Sequence, residues 1–156
     1  MERTLVLLKP DAVQRGLLGE ILGRFERKGL KLIGMKMMKL NDALLDEHYS
    51  HLSHMPFFQE IKTFMMRTTV VAVCLEGVDC IETVRLLCGE TMARKAPAGT
   101  IRGDLAMSIQ ANLVHASDSA DTAAREVPRF FREEELFDYD WIKLPYLYTS
   151  RELTQS

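Results

Sequence analysis

The chain has 156 residues, enough to bury one substantial core but short for two, so a single domain over residues 1–156 is expected. A net charge of −2, with 47% hydrophobic and 27% charged residues, gives no general pull toward nucleic acid or membrane surfaces. Any anion this protein handles must therefore be held by a few local cations.

The opening "MERTLVLLKPDAVQRG" contains an apolar run with strand character, stopped by Pro10. The run is too short for a signal-peptide core or a membrane span, so a cytoplasmic, membrane-free protein is expected. From Leu18 onward, Leu18, Ile21, Leu22 and Phe25 fall on one helix face. Arg27 and Lys28 suit the C-terminus of that helix, and Gly29 suits its cap. A second strand follows through "LKLIGMKMMKL", where apolar and lysine positions roughly alternate.

Asn41 or Asp42 can cap a helix through "ALLDEHYSHL", and Pro56 opens another near "FFQEIKTFMM". "TTVVAVCLEG" is rich in β-branched residues and reads as a buried strand. Asp79 begins a helix carrying Ile81, Val84, Leu87 and Cys88. From Glu90 to Gly103, with Pro97 and Gly99, the chain reads mainly as loop. "ANLVHA" is a last short strand, and Ser119 caps a helix holding Ala123 and Val127, which Pro128 should bend or end. This order, β-α-β-β-α-β with extra helices, predicts an α+β fold: a ferredoxin-like antiparallel sheet covered by helices, with a loop inserted before the last strand.

Cys74, Cys80 and Cys88 are odd in number and form no Cys-x-x-Cys pair, so three reduced, packed thiols are expected rather than disulfides or zinc ligands. In "HYSHLSH", His48 and His51 share a helix face but His54 swings away, which reads as a solvated helix end rather than a metal site. No G-x-x-x-x-G-K-[ST] loop is present, so any nucleotide must be held by side chains. The candidates are Lys9, just past the first strand, with Arg85 and Arg102, whose planar forks suit phosphate. His115 sits among small residues in "NLVHASDS". Ser117 and Asp118 lie too close to it in sequence for a hydrolase triad. On residue type alone His115 reads as structural or, with Glu126 orienting its ring, as a nucleophile.

The octapeptide "NLVHASDS" resembles the signature N-x-x-H-G-S-D-S of the nucleoside diphosphate kinases. "ERTLVLLKPDAVQRGLLGEIL", "HYSHLSHMPFF" and "GETMARKAPAGTIRGD" are similar to three further segments of that family, in the same order, from about Glu2 to Tyr139. The resemblance implies a ping-pong transfer of the γ-phosphate of a nucleoside triphosphate to a nucleoside diphosphate, with broad base specificity, through a phosphohistidine at His115. It further implies that Lys9, Arg85, Thr91 and Arg102 hold the phosphates, with Mg²⁺ bridging phosphates and water rather than bound by protein ligands. Lys9 and Asn112 would bond the ribose, Phe57 would stack on the base beside Ile61 and Ile109, and Tyr49 would lie near the phosphates. Ser117 and Glu126 would bond each other and steady His115. The implied partners are nucleoside di- and triphosphates and further copies of the chain, as tetramer or hexamer. Two other classes stay open on sequence: a non-catalytic nucleotide-binding relative, and a donor that passes phosphate from His115 to another protein.

The chain departs from the family pattern in three places. Ala116 replaces the usual glycine, Met92-Ala93 replaces Asn-Pro, and the tail from about residue 139 diverges. The tail carries Trp141, Leu144, Tyr146 and Leu147, apolar enough to pack on a neighbouring subunit.

Overall fold

Four strands form an antiparallel sheet in the order β2-β3-β1-β4: β1 (Glu2–Leu8), β2 (Lys31–Met38), β3 (Val70–Gly77) and β4 (Val114–Ala116). The computed structural model describes residues 1–155. Nine α-helices are found among them: α1 (Pro10–Gln14), α2 (Leu18–Lys28), α3 (Asp42–His48), α4 (Phe58–Met65), α5 (Cys80–Cys88), α6 (Ile101–Leu105), α7 (Ala120–Phe130), α8 (Leu144–Leu147) and α9 (Ser150–Gln155). The fold is the expected ferredoxin-like α+β arrangement.

Both faces of the sheet are covered, and the side-chain alternation of β1 decides what lies on each. Val6 and Leu8 point toward α2, α5 and α6, packing with Ile21, Phe25, Val84 and Ile101. Leu5 and Leu7 point the other way, onto Leu45 of α3, Phe64 of α4, and Val127 and Phe130 of α7. An antiparallel sheet with one solvated face would alternate apolar and polar residues; β3, buried at every position, is instead continuously apolar from Val70 to Leu75. Burying Phe25 and Ile21 completely contributes about 1.5–3 kcal/mol each, which anchors α2 far more firmly than helix propensity could.

The helix ends follow the sequence signals. The Asn41 side chain accepts from the Leu44 N–H at 2.9 Å, the Ser119 hydroxyl accepts from Thr122 N–H at 3.2 Å, and Gly29 takes φ 101° behind α2. Asp79 stands at the N-cap of α5 but makes no cap bond with its side chain; the Glu2 carboxylate accepts from the Ile81 N–H instead, at 3.2 Å. The structure adds detail to three expectations. Pro10 both ends β1 and opens α1, because proline suits the first helical turn. The segment before β4 is not all loop: a 3₁₀ turn spans Ala93–Lys95, and Thr100 caps α6 through its hydroxyl, which accepts from Gly103 N–H at 3.0 Å. Pro128 does not end α7, which runs on to Phe130, held by the burial of Val127, Phe130 and Phe131 in the core.

The three cysteines are buried, unpaired thiols. The tail folds back on its own chain: Leu147 lies against Gly29, the Tyr148 hydroxyl accepts from Val78 N–H at 3.3 Å, and Tyr139 donates to the Leu32 carbonyl at 2.9 Å. Ile142 and Tyr146 remain exposed. Among the described residues no helix is long and apolar enough to cross a membrane.

Candidate active site

The register of β4 against β1 determines where His115 points. It pairs with Leu7, so its ring emerges on the face covered by α3 and α7. There it meets Glu126, three residues beyond the buried Ala123 on the apolar stripe of α7. Glu126 Oε2 lies 3.0 Å from His115 Nε2 and accepts a 2.6 Å hydrogen bond from the fully buried Ser117 hydroxyl. Burial alone would raise the Glu126 carboxyl, but the His115 and Ser117 hydrogen bonds and the nearby His48 outweigh it and hold the group down at about 2. The carboxylate is therefore ionised at neutral pH and accepts the Nε2 proton. Among the described residues every hydrogen bond of the imidazole falls on Nε2, which leaves the lone pair on Nδ1.

His48 corrects the reading of the histidine cluster as a solvated end. Its ring is buried, with its centroid 4.5 Å from that of His115, and its Nδ1 lies 3.5 Å from Glu126 and 3.3 Å from Arg129 Nη1. Burial, then the neighbouring His115, push its pKa down to about 3, against the opposing pull of Glu126, so it is neutral. The signal was present in the sequence: His48 stands three residues after Leu45, on the buried face of α3. His51 and His54 are exposed as expected. His48, His115 and Glu126 offer three ligand atoms within 4.8 Å of one another. Arg129 and Ser117 already donate into that cluster, so it is a hydrogen-bonded network around the carboxylate.

A cleft of about 1050 Å³ opens over His115. Of the residues singled out from sequence, Lys9, Tyr49, Phe57, Ile61, Arg85, Thr91, Arg102, Ile109, Asn112, His115 and Glu126 all line it, and Ser117 sits behind it. Lys9 Nζ donates to the Gln110 carbonyl at 2.5 Å and to Asn112 Oδ1 at 2.8 Å. Burial lowers Lys9 to about 8; Asp11 opposes that fall and Arg102 adds to it. The Asn112 amide spans the cleft floor, donating to the Thr91 and Ile109 carbonyls at 3.0 and 2.8 Å. Arg102 is buried and donates to the carbonyls of Gly89, Asn112 and Val114, which leaves two of its five N–H groups for a ligand. Tyr49 is buried against His48, and desolvation pushes its phenol far up, so it stays protonated. At the mouth, Phe57 and Ile109 are exposed and form an apolar rim to the cleft. The sequence reading missed Arg129, Arg125 and Thr122, which also line the cleft. Thr122 and Arg129 stand on α7 four residues before and three after Glu126, the helical spacing that could have found them, whereas Arg125 is its immediate neighbour in sequence.

Ala116, the replacement for the family glycine, needs no positive φ. The strain lies three residues earlier, at Leu113, with φ 73°.

Fold and cleft together define the class: a ferredoxin-like α+β protein with a histidine and a buried carboxylate facing a set of cations. Residues 2–136 match the family described as nucleoside diphosphate kinase. A nucleoside diphosphate kinase of Parabacteroides distasonis is 57% identical over 97% of this chain and 99% of its own length. One from Pyrococcus abyssi is 48% identical over 90% of this chain and 92% of its own. The structure of a halophilic nucleoside diphosphate kinase from Halobacterium salinarum in complex with CDP superposes with a TM-score of 0.93 at 43% identity, covering 95% of this chain and 99% of that one. The chain belongs to the nucleoside diphosphate kinase family, and it is an enzyme of that kind.

Proposed function

We propose that the enzyme moves the γ-phosphate of a nucleoside triphosphate to a nucleoside diphosphate by a ping-pong route through a phosphohistidine on His115. The observation that carries this reading is the hydrogen bond from His115 Nε2 to the ionised, buried Glu126. It fixes the tautomer so that Nδ1 is the nucleophile, and no base need remove a proton first. As Nδ1 bonds to phosphorus, the bond to the bridging oxygen breaks and the diphosphate leaves with that electron pair. The imidazole becomes cationic, and the Glu126 carboxylate offsets that charge through the proton it already shares. A second diphosphate then attacks the phosphorus from the same cleft, and His115 returns to its starting form.

Phosphoryl transfer spreads negative charge over the equatorial oxygens, so catalysis is mainly positioning and cations. Lys9, Arg85 and Arg102 supply the cations, and Thr91 lies beside them. Lys9 and Asn112 serve the ribose, and Phe57 with Ile61 and Ile109 stacks the base without reading its edge, which gives breadth of base specificity. Mg²⁺ demands oxygen ligands, whereas the one three-residue cluster among the described residues offers two imidazoles in an occupied network, so the ion fits as a partner of the nucleotide phosphates and water. Bound there, it would offset negative charge on the phosphates. We place the enzyme in the cytoplasm as a homo-oligomer; Met35 and Met37, exposed on the edge strand β2, support a surface made for another copy.

Incubation with γ-labelled ATP and Mg²⁺ should leave acid-labile, alkali-stable label on the protein, chased off by GDP or CDP. His115→Ala should take up none. Native turnover in that variant, or no phosphoenzyme in the parent, would sink the reading.

A further inference from the structure

Leu113 is a fully buried residue at φ 73°, and the Val114 N–H donates to the Asn112 carbonyl at 2.9 Å. Leu113 is thus the centre of a γ-turn of the rare, positive-φ kind, two residues before His115. Such a turn persists only where its surroundings over-determine it. Here both peptide groups of Leu113 are held by the segment just after β1. The Lys9 N–H donates to the Leu113 carbonyl at 2.8 Å, and the Leu113 N–H donates to Asp11 Oδ2 at 3.0 Å. Arg102 closes the clasp from the other side, donating to the carbonyls of Asn112 and Val114. The second carboxylate oxygen, Asp11 Oδ1, is buried with no hydrogen-bond partner among the described residues. The fold thus tolerates a half-satisfied buried carboxylate to give one N–H its acceptor.

We propose that Asp11 is a positioning residue for phosphoryl transfer: its carboxylate holds Leu113 in the strained γ-turn, and the turn sets the station of His115 relative to the cations of the cleft. The proposal rests on the reading of His115 as nucleophile. Asp11 touches neither the imidazole nor the cleft; it acts through two residues of backbone. If Asp11 is truncated, the Leu113 N–H loses its acceptor, the turn relaxes toward ordinary backbone, and His115 shifts while the nucleotide-binding side chains stay in place.

The test compares Asp11→Ala with Asp11→Asn, whose carboxamide oxygen can still accept from Leu113. The readouts are single-turnover labelling of His115 by γ-labelled ATP with Mg²⁺, nucleotide KM, and hydrogen exchange in a peptide spanning Leu113. Asp11→Ala should slow labelling on the order of 10–100-fold, with KM within about twofold and faster exchange at Leu113. Asp11→Asn should restore both labelling and protection. Wild-type labelling in Asp11→Ala overturns the proposal. So does slow labelling in Asp11→Asn with Leu113 still protected, because the charge beside Lys9 would then be what matters. Should the alanine variant not fold, Asp11→Glu replaces it: the extra methylene carries the carboxylate off the Leu113 N–H while keeping the charge, so labelling should slow and Leu113 exchange faster, and wild-type labelling with faster Leu113 exchange overturns the proposal. Absence of any phosphoenzyme in the parent would instead strike the function itself, while Leu113 exchange would still report whether Asp11 holds the turn.

Discussion

Lys9 is the residue whose chemistry is most exposed to its surroundings. It sits one step beyond β1 and is buried, bonded to Gln110 and Asn112, with burial lowering its pKa to about 8. In the free enzyme the ammonium is charged at neutral pH and loses its proton as pH rises through about 8. Because kcat/KM follows the ionisations of free enzyme, it should fall about tenfold per pH unit above that point. Lys9→Arg, slower in absolute terms, should carry its activity to higher pH without that limb, since a guanidinium stays charged. A pH profile of kcat/KM for both proteins decides it: a limb that stays near pH 8 in the arginine variant assigns it to another group. His115 and Glu126 were legible in the sequence as a pair, because one lies in the last predicted strand and the other on the helix predicted to follow it. His48 was legible in principle, from its spacing to Leu45, but three histidines in seven residues looked like a polar run. The Leu113 γ-turn was not legible, since leucine gives no sign of positive φ, and the one visible departure nearby, Ala116 in place of a glycine, lies three residues away at an ordinary backbone conformation.

Among the elements, the long and periodic ones were readable: β1, β3, α2 and α7 carry enough turns or alternations to show their faces. The five-residue α1 and α6 were not, because a single turn has no periodicity and its ends are set by contacts far along the chain. α6 matters for the site, since it carries Arg102. Its approach to the preceding loop is so close that a Cβ at Gly103 would stand 2.0 Å from the Pro97 carbonyl oxygen, a backbone atom that cannot swing aside. Gly103→Ala should therefore displace α6 and cost about 1–3 kcal/mol by overpacking. It should also lower kcat/KM, since Arg102 loses its register with the Gly89 and Val114 carbonyls. Chemical denaturation paired with steady-state kinetics reads both effects. Unchanged stability with unchanged activity would mean that the loop gives way freely.

At the scale of the whole molecule, the His48 network couples the site to global stability. The buried His48 ring is faced by Glu126 and Arg129 of α7 and by His115 of β4, and it titrates at about 3, down from 6.5. Between those values the unfolded chain takes up a proton that the folded one refuses, so stability falls as pH falls through that window. By pH 5 the loss from this one group comes to about 2 kcal/mol. Glu126 works over a lower range: its carboxyl is depressed from 4.5 to about 2, so its contribution is present above 4.5 and is lost only as pH drops toward 2. The interval from 6.5 to 4.5 thus separates the two. In His48→Gln, which keeps a polar group near Arg129 but does not titrate, unfolding free energy should vary about 2 kcal/mol less between pH 7 and pH 5 than in the parent. Urea unfolding of both proteins at one fixed concentration measures this directly. An equal pH dependence in both proteins would show that acid sensitivity originates elsewhere, and that the neutral histidine beside His115 is not the group that couples site and fold.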